Sequence, residues 1–431
     1  MRNKLYFHLL FLQIISISVT YAQVTENARK IIYDLCAPGM HGRGYVSKGD
    51  RKAAVYIAGV YEFLGLEKLS GSYFQGFPIR INTQPSTLIC KINNVELAPG
   101  IDYIVDQGCP SFRGKKGVCL VNRTGILSGE WQEHAEPDKF LLLDNNHPAN
   151  ETADQTRQTD SLIAILKKGS PLIKSGVILY SKEKLTLKGF RELIPVPWVT
   201  VRSEKDPSEI KSICLNIKSR YDSSYQTQNV AGFIRGKIYP DSLIVFTAHY
   251  DHLGRMGSEV YFPGASDNAS GVAMILSLAG HYASPENRPD YSMMLLAFSG
   301  EEIGLLGSDY YVTHPLLPLK NISFLINIDL AANGEEGITV VNGTFFPNQF
   351  NLLKRINDSR EYLPGVYVRG ESCNSDHCRF YQKGVPSIFI YTMGGSPGYH
   401  DITDIPARLP LTMFENYYKL LVEFADSLQV Q

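Results

Sequence analysis

Histidine and carboxylate side chains follow several apolar runs of strand length in this sequence. The stretches that carry them are Ala248-His249-Tyr250-Asp251-His252, Gly264-Ala265-Ser266-Asp267-Asn268-Ala269-Ser270-Gly271, Ser299-Gly300-Glu301-Glu302, Ile328-Asp329 and Gly398-Tyr399-His400-Asp401. Imidazole nitrogen and carboxylate oxygen are ligands of catalytic zinc, which keeps one position open for water. Two histidines and three carboxylates suffice for a pair of ions that share one carboxylate. Such a pair, about 3.5–4 Å apart, can polarise a carbonyl and activate a water molecule for attack.

The adjacent acids Glu301 and Glu302 can divide the remaining work between them. Neighbouring side chains of an extended chain point in different directions, so one can bind metal while the other faces the substrate as a general base. Asp251 lies two residues from His249, on the same side of an extended segment. There it could accept the ring N–H that a metal leaves free and so orient the imidazole.

Each of these residues taken singly has an ordinary explanation. A Ser-Asp-Asn run before a helix is usually a cap, and a pair of acids is usually the solvated start of a helix. Their coincidence at successive strand ends favours a site. His252 is predicted to pack rather than to bind, and His377 is a candidate to support the ligands from behind.

The elements that must position these residues begin at about residue 226, where apolar strands alternate with helical patterns. Strands are predicted at 243–248, 291–298, 322–328 and 385–391, and helices at 269–283, 303–312 and 411–428. Continuous apolar strands that alternate with helices indicate a mostly parallel central sheet covered on both faces, a three-layer α/β/α sandwich. Ligands of such sheets bind outside the carboxyl ends of the strands.

The first half of the chain has a different character. Helices are predicted at 25–36 and 50–64, the second capped by Asp50. From 86 to 215, short β-rich pieces at 87–92, 117–121, 139–143, 176–180 and 196–201 alternate with breaker residues. This stretch holds only His134 and His147 and no metal-ligand pattern. We therefore predict an inserted β-rich domain at 86–215, without chemistry of its own, between the catalytic segments 23–85 and 216–431.

Composition limits the partners and the N-terminus suggests export. A net charge of −1, with 44% hydrophobic and 20% charged residues, indicates an ordinary globular protein without affinity for nucleic acid or an anionic membrane. A signal peptide is predicted at 1–22, cleaved after Ala22. It has a basic start at Arg2 and Lys4, an apolar run at 9–17 and a small residue at the cleavage site. The mature protein is expected to be soluble and secreted or periplasmic, and no pattern indicates its oligomeric state.

The 7 cysteines of an exported chain can form disulfides, and the odd count leaves at least one free thiol. Cys373 with Cys378 and Cys109 with Cys119 are close enough along the chain to pair. Spacing alone leaves both pairings open.

These residues in this order resemble the co-catalytic zinc aminopeptidase family, which is related to bacterial secreted aminopeptidases, glutamate carboxypeptidase and glutaminyl cyclase. The likeness covers about residues 226–430. It rests on H-x-D at 249–251, G-x-S-D-N-x-S-G at 264–271, S-G-E-E-x-G-L-x-G-S at 299–308, an aspartate that ends a strand, S-D-H at 375–377 and a late histidine. The insertion looks like a degenerate protease-associated domain in segments 176–179 and 194–197.

The resemblance implies a zinc-exopeptidase fold and a role for each motif residue. Two zinc ions per chain would be held by His249, Asp267, Glu302, Asp329 and His400. Asp267 would bridge the ions, with His249 and Asp329 on one and Glu302 and His400 on the other. Glu301 would be the general base in the hydrolysis of peptide substrates. A cysteine pair around S-D-H also occurs in some relatives, which favours a Cys373–Cys378 disulfide.

Several functions compete on this fold. The first is an aminopeptidase, and the resemblance alone leaves a carboxypeptidase or a dipeptidase open. A glutaminyl cyclase-like acyltransferase would use a single zinc, whereas retention of both His249 and Asp329 favours two ions and hydrolysis. A non-catalytic binding module would be expected to lose ligands or the base. A serine or cysteine peptidase finds no support among these motifs.

Overall fold

Two eight-stranded sheets organise the chain in the computed structural model, which describes residues 23–395 and 398–429. The predicted signal peptide at 1–22 lies outside the described residues. In chain order, the strands are β1 (Phe74–Thr83), β2 (Ile89–Ile92), β3 (Val95–Glu96), β4 (Tyr103–Val105), β5 (Phe112–Asn122), β6 (Phe140–Asp144), β7 (Val177–Ser181), β8 (Trp198–Arg202), β9 (Ser212–Ile217), β10 (Arg220–Ile234), β11 (Tyr239–His249), β12 (Arg255–Met256), β13 (Val260–Tyr261), β14 (Tyr291–Phe298), β15 (Ile322–Asp329), β16 (Ile338–Val341), β17 (Val366–Val368) and β18 (Ser387–Thr392).

Ten α-helices accompany the strands in the described part of the chain. They are α1 (23–35), α2 (Gly49–Phe63), α3 (Arg123–Ser128), α4 (Trp131–His134), α5 (Ala153–Lys168), α6 (Ser270–Ala283), α7 (Leu306–Thr313), α8 (Pro347–Arg360), α9 (His377–Tyr381) and α10 (Phe414–Leu428).

The first sheet has the order β1-β10-β14-β11-β15-β18-β16-β17. Its central strands β14, β11, β15 and β18 run parallel to one another, while β10 and β16 flank them in antiparallel pairings. Successive residues of β11 face opposite sides, as the two-residue period of a strand requires. Ile244 and Phe246 join a core with α2, α6, α8 and α10, and Val245 joins one with α7 and α9. The predicted three-layer α/β/α arrangement is confirmed.

Two local predictions about the helices were wrong. The helix predicted at 303–312 starts at Leu306, because Gly304 (φ 114°) and Leu305 (φ 60°) turn the chain with left-handed backbone. Asp50 does not cap α2, which begins at Gly49. Its buried carboxylate instead accepts hydrogen bonds from the hydroxyls of Tyr225 (2.6 Å) and Thr227 (2.8 Å) on β10.

The second sheet has the order β3-β2-β9-β5-β6-β7-β8-β4 and lies within residues 89–217. Helices α3 and α5 contribute to the core on one of its faces. The core on the other face takes in Leu253 and Phe262, which follow β11 of the first sheet, and Ile402 packs against it. The insertion at 86–215 and its boundaries stay a prediction, because this shared core joins the two sheets.

One disulfide is present among the described residues, between Cys373 and Cys378. This bears out the pairing that the resemblance favours. Cys109 and Cys119 are both free thiols, so the second candidate pair is not formed. Across residues 23–395 and 398–429, no helix combines the length and apolar character needed to cross a bilayer.

Candidate metal centre

The predicted ligands gather at the carboxyl edge of the first sheet. His249 is the last residue of β11 and Asp329 the last of β15, while Glu302 follows β14 in the turn before α7. Asp267 lies in the helical turn Ala265–Ala269 that leads into α6. His400 lies in the loop after β18, with a φ of 55°. Parallel strands end at a common edge, so side chains distant in sequence meet there.

Asp267 stands between the two histidines and offers one oxygen to each. Its Oδ1 lies 3.2 Å from Nε2 of His249, and its Oδ2 lies 3.0 Å from Nε2 of His400. A second carboxylate completes each side: Asp329 Oδ2 is 3.4 Å from His249 Nε2, and Glu302 Oε2 is 3.2 Å from His400 Nε2. The five side chains thus form two triads that share Asp267.

The spacing of these atoms suits zinc. Ligand atoms about 2.0–2.1 Å from an ion at the tetrahedral angle lie about 3.3 Å from each other. The four nitrogen–oxygen distances of the triads, 3.0 to 3.4 Å, match this value. Imidazole nitrogen and carboxylate oxygen are also among the ligands that bind zinc. The residues present therefore fit zinc.

The histidines and carboxylates of the two triads shift each other's pKa. Burial alone would raise the pKa of Asp267, but hydrogen bonds from His249 and His400 hold that pKa well below its usual range. Burial would likewise lower the pKa of His400, yet Glu302 and Asp267 raise it to about 10. Binding of a metal ion by these ligands would require the histidines to be deprotonated, so metal affinity is expected to fall at low pH.

Glu301 lies close enough to His249 and Asp329 to form a possible metal-binding group with them, but its carboxylate is farther from His249 than those of Asp267 and Asp329 are. Its Oε2 is 4.0 Å from His249 Nε2, at the limit of an ion pair. Burial raises the pKa of Glu301 well above its usual range, and the charges of Asp376 and Glu302 add to the rise although His249 opposes it. A carboxylate with a raised pKa next to a metal site is suited to accept and return a proton.

Asp251 differs in detail from its predicted role. Nδ1 of His249 faces the main-chain carbonyl of Asp251 at 3.2 Å, whereas the nearest carboxylate oxygen of Asp251 is 3.9 Å away. The carboxylate instead accepts hydrogen bonds from the Tyr45 hydroxyl and from the main-chain N–H of Glu301, both at 3.2 Å. Asp251 therefore holds the main chain of Glu301 with its carboxylate and contacts His249 with its main-chain carbonyl.

His252 does more than pack, contrary to the prediction. Its Nδ1 lies 2.6 Å from Oε1 of Glu302, and its ring is buried. Its other nitrogen, Nε2, is buried without a hydrogen-bond partner among the described residues. The imidazole therefore holds the oxygen of Glu302 that does not face His400. The sequence signal for this contact was a second histidine, His252, directly after the H-x-D segment at 249–251.

We expect His252→Gln to weaken metal binding about 10–100-fold, the range typical for loss of a hydrogen bond to a metal ligand. Zinc titration of the chelator-treated protein measures the effect. The exposed His134, in the second-sheet region, provides a matched control as His134→Gln. Equal zinc affinity in the two variants would contradict a role for His252 in holding Glu302.

The S-D-H segment reaches the site through its serine. His377 is buried against the ring of Phe389, with centroids 5.4 Å apart, and burial lowers its pKa to about 4. Ser375 donates a long hydrogen bond to Oδ2 of Asp329 (3.4 Å) and accepts one from Asn327 Nδ2 (2.8 Å). The predicted support thus comes from Ser375 and not from the ring of His377.

Asp404 holds the turn that carries the shared ligand. Its buried carboxylate accepts the main-chain N–H groups of Ser266 (2.9 Å) and Asp267 (3.1 Å). Burial raises the pKa of Asp404, and these two hydrogen bonds oppose the rise. The sequence placed Asp404 near the late histidine without indicating this function.

A fully buried arginine, Arg43, holds the same turn from the other side. Its guanidinium donates to the main-chain carbonyls of Tyr250 (2.8 Å), Pro263 (2.6 Å), Gly264 (2.7 Å) and Asp267 (3.3 Å). It therefore joins the end of β11 to the turn of Asp267. The sequence suggested only a glycine-rich loop here, because all these partners lie more than 200 positions away.

We expect Arg43→Met to lower the free energy of unfolding by about 3 kcal/mol or more, since it leaves several buried carbonyls without donors. Chemical denaturation of the metal-free protein measures this loss apart from metal binding. Arg51→Met, at an exposed position of α2, is expected to stay within about 0.5 kcal/mol. A similar small effect for Arg43→Met would refute the role assigned to it.

Part of this chain is similar to known peptidases. Residues 229–425 match the model of peptidase family M28. Aminopeptidase YwaD of Bacillus subtilis is 29% identical over 248 residues, which are 54% of this chain and 52% of that protein. A probable leucine aminopeptidase of Trichophyton verrucosum is 28% identical over 210 residues, 46% of this chain and 57% of that protein. The chain thus spans about half the length of these curated relatives.

Solved structures share the fold over nearly the whole chain. BSAP, a zinc aminopeptidase from Bacillus subtilis, superposes with a TM-score of 0.69 at 18% identity and covers 94% of each chain. A peptidase M28 precursor from Shewanella amazonensis gives a TM-score of 0.70 at 15% identity, over 95% of this chain and 96% of that one.

Proposed function

We propose that this protein is a secreted zinc aminopeptidase with two ions per chain, because residues 229–425 match the model of peptidase family M28. One observation carries the proposal. Asp267 presents one oxygen to His249 and the other to His400, and Asp329 and Glu302 complete the two sides. A carboxylate so placed can bridge two ions. The names of the relatives support the aminopeptidase activity and the choice of zinc.

Zinc ions held by these ligands would polarise the scissile carbonyl and lower the pKa of a water molecule. The protein supplies the proton transfer. Glu301, partly buried and beside His249, would take a proton on its carboxylate from the attacking water and return it to the leaving amine. Asp251 holds Glu301 in place through the Glu301 main-chain N–H. Peptides with a free N-terminus are the proposed substrates.

A substrate screen with and without a chelator tests this proposal. Aminoacyl reporter substrates and short peptides with a free amine should be cleaved from the N-terminus, and excess zinc should restore activity after chelation. Matched peptides with a blocked amine should remain intact. Cleavage of the blocked peptides alone would overturn the aminopeptidase assignment. Cyclisation of peptides with an N-terminal glutamine, without hydrolysis, would indicate the acyltransferase instead.

A further inference from the structure

A segment of the second-sheet region reaches into the metal centre. It is part of the connection between β7 and β8, and we name residues 184–190 the strap. The main-chain N–H of Leu187 donates to the carbonyl of His400 at 3.2 Å, and Nζ of Lys184 donates to the carbonyl of Tyr399 at 2.8 Å. The strap is therefore bonded to the loop that presents His400.

The strap also lies directly against Glu302. A Cβ atom added to Gly189 would stand 1.8 Å from the carbonyl oxygen of Glu302 and 2.6 Å from its carbonyl carbon. Such distances are far inside van der Waals contact, and both atoms belong to the main chain, so no side-chain rotation can relieve them. Only glycine allows the strap to approach Glu302 this closely.

The strap is anchored on its own side as well. The side chains of Leu185 and Leu187 are buried in the core of the second sheet. At its end, the main-chain N–H of Phe190 donates to Oε1 of Gln107 at 3.0 Å. A segment fixed to one sheet can thus hold groups that belong to the other.

The two predicted triads differ in how their ligands are held. His249 and Asp329 end the strands β11 and β15 of the first sheet. Glu302 and His400 lie in loops, with His400 in left-handed backbone. Ligands on loops need support from neighbouring groups to keep a binding geometry. The strap contacts both loop residues, which the family resemblance assigns to the same ion.

We propose that the strap is a positioning element of the metal centre, which sets the affinity for the ion of Glu302 and His400 from the second sheet. The inference rests on the proposed two-ion function. It assigns to the 86–215 region a part in the site, where the sequence indicated none. Gly189 is then a positioning residue for Glu302.

Zinc titration of the chelator-treated full-length protein by calorimetry tests this assignment with Gly189→Ala. We expect one ion to bind as in the unsubstituted protein and the other at least about 10-fold more weakly, as for loss of support to a ligand. The value of kcat should fall at limiting zinc and recover in part at high zinc. Gly117→Ala is the control, since its Cβ would meet only the Lys139 side chain, at 3.6 Å. It should leave both affinities unchanged.

A second variant tests the same inference if Gly189→Ala does not fold. Lys184→Met removes the exposed donor to the Tyr399 carbonyl. We expect the affinity for the ion of Glu302 and His400 to fall about 2–5-fold. Unchanged affinity for both ions in both variants would overturn the inference. So would an equal loss for both ions together with a lower Tm, which marks a general structural effect. If the unsubstituted protein binds two ions but cleaves no peptide, the proposed function fails while the titration still decides the role of the strap.

Discussion

Glu301→Gln is expected to lower kcat by about 10²–10⁴-fold, the usual contribution of a general base. The amide has the size of the carboxylate but cannot take a proton from water. Because the Glu301 carboxylate lies 4.0 Å from His249 Nε2, farther than those of Asp267 and Asp329, the variant should keep its zinc. Steady-state kinetics on an aminoacyl reporter, with the zinc content measured on the same sample, gives both quantities.

The neighbouring Glu302→Gln serves as the contrast for this prediction. Its carboxylate faces His400 at 3.2 Å, so we expect that variant to lose zinc as well as activity. Full activity of Glu301→Gln would contradict the assigned base. Loss of zinc from Glu301→Gln, with retention in Glu302→Gln, would exchange the two roles.

Asp267→Asn is expected to abolish binding of both ions and reduce activity to the background. The substitution keeps the shape of the side chain but removes the charge and replaces one of the two oxygens that face His249 and His400 with an amide N–H₂. Metal analysis after dialysis should give well below one ion per chain. Loss of a single ion would mean that Asp267 does not bridge.

Two other variants complete the comparison with Asp267→Asn. His400→Ala removes a ligand of one triad only and is expected to leave one ion bound. Asp241 lies near the other end of β11, on the surface. As the control, Asp241→Asn is expected to keep both ions and full activity.

The sequence predicted the strands that carry the candidate ligands. The apolar runs before His249 and Asp329 are continuous because both faces of the central sheet are covered, so their ends are marked by the first charged residues. The edge strand β1 was not predicted. Gly76 and Pro78 interrupt its pattern, and proline in a strand is typical only of an edge.

The groups that hold the ligands could not be predicted in the same way. Arg43 meets carbonyls from residues more than 200 positions later in the chain, and its partners are main-chain atoms that leave no mark in the sequence. Gly189 contacts the main chain of Glu302 from the other sheet. Such contacts depend on how two sheets pack together, and no local spacing encodes that packing.

Anomalous diffraction at the zinc edge, from crystals of the zinc-loaded protein, tests the paired metal site most directly. The account predicts two peaks about 3.5–4 Å apart, one beside His249 and Asp329 and the other beside Glu302 and His400, with Asp267 between them. A single peak at full zinc loading, or a peak away from these residues, would contradict it.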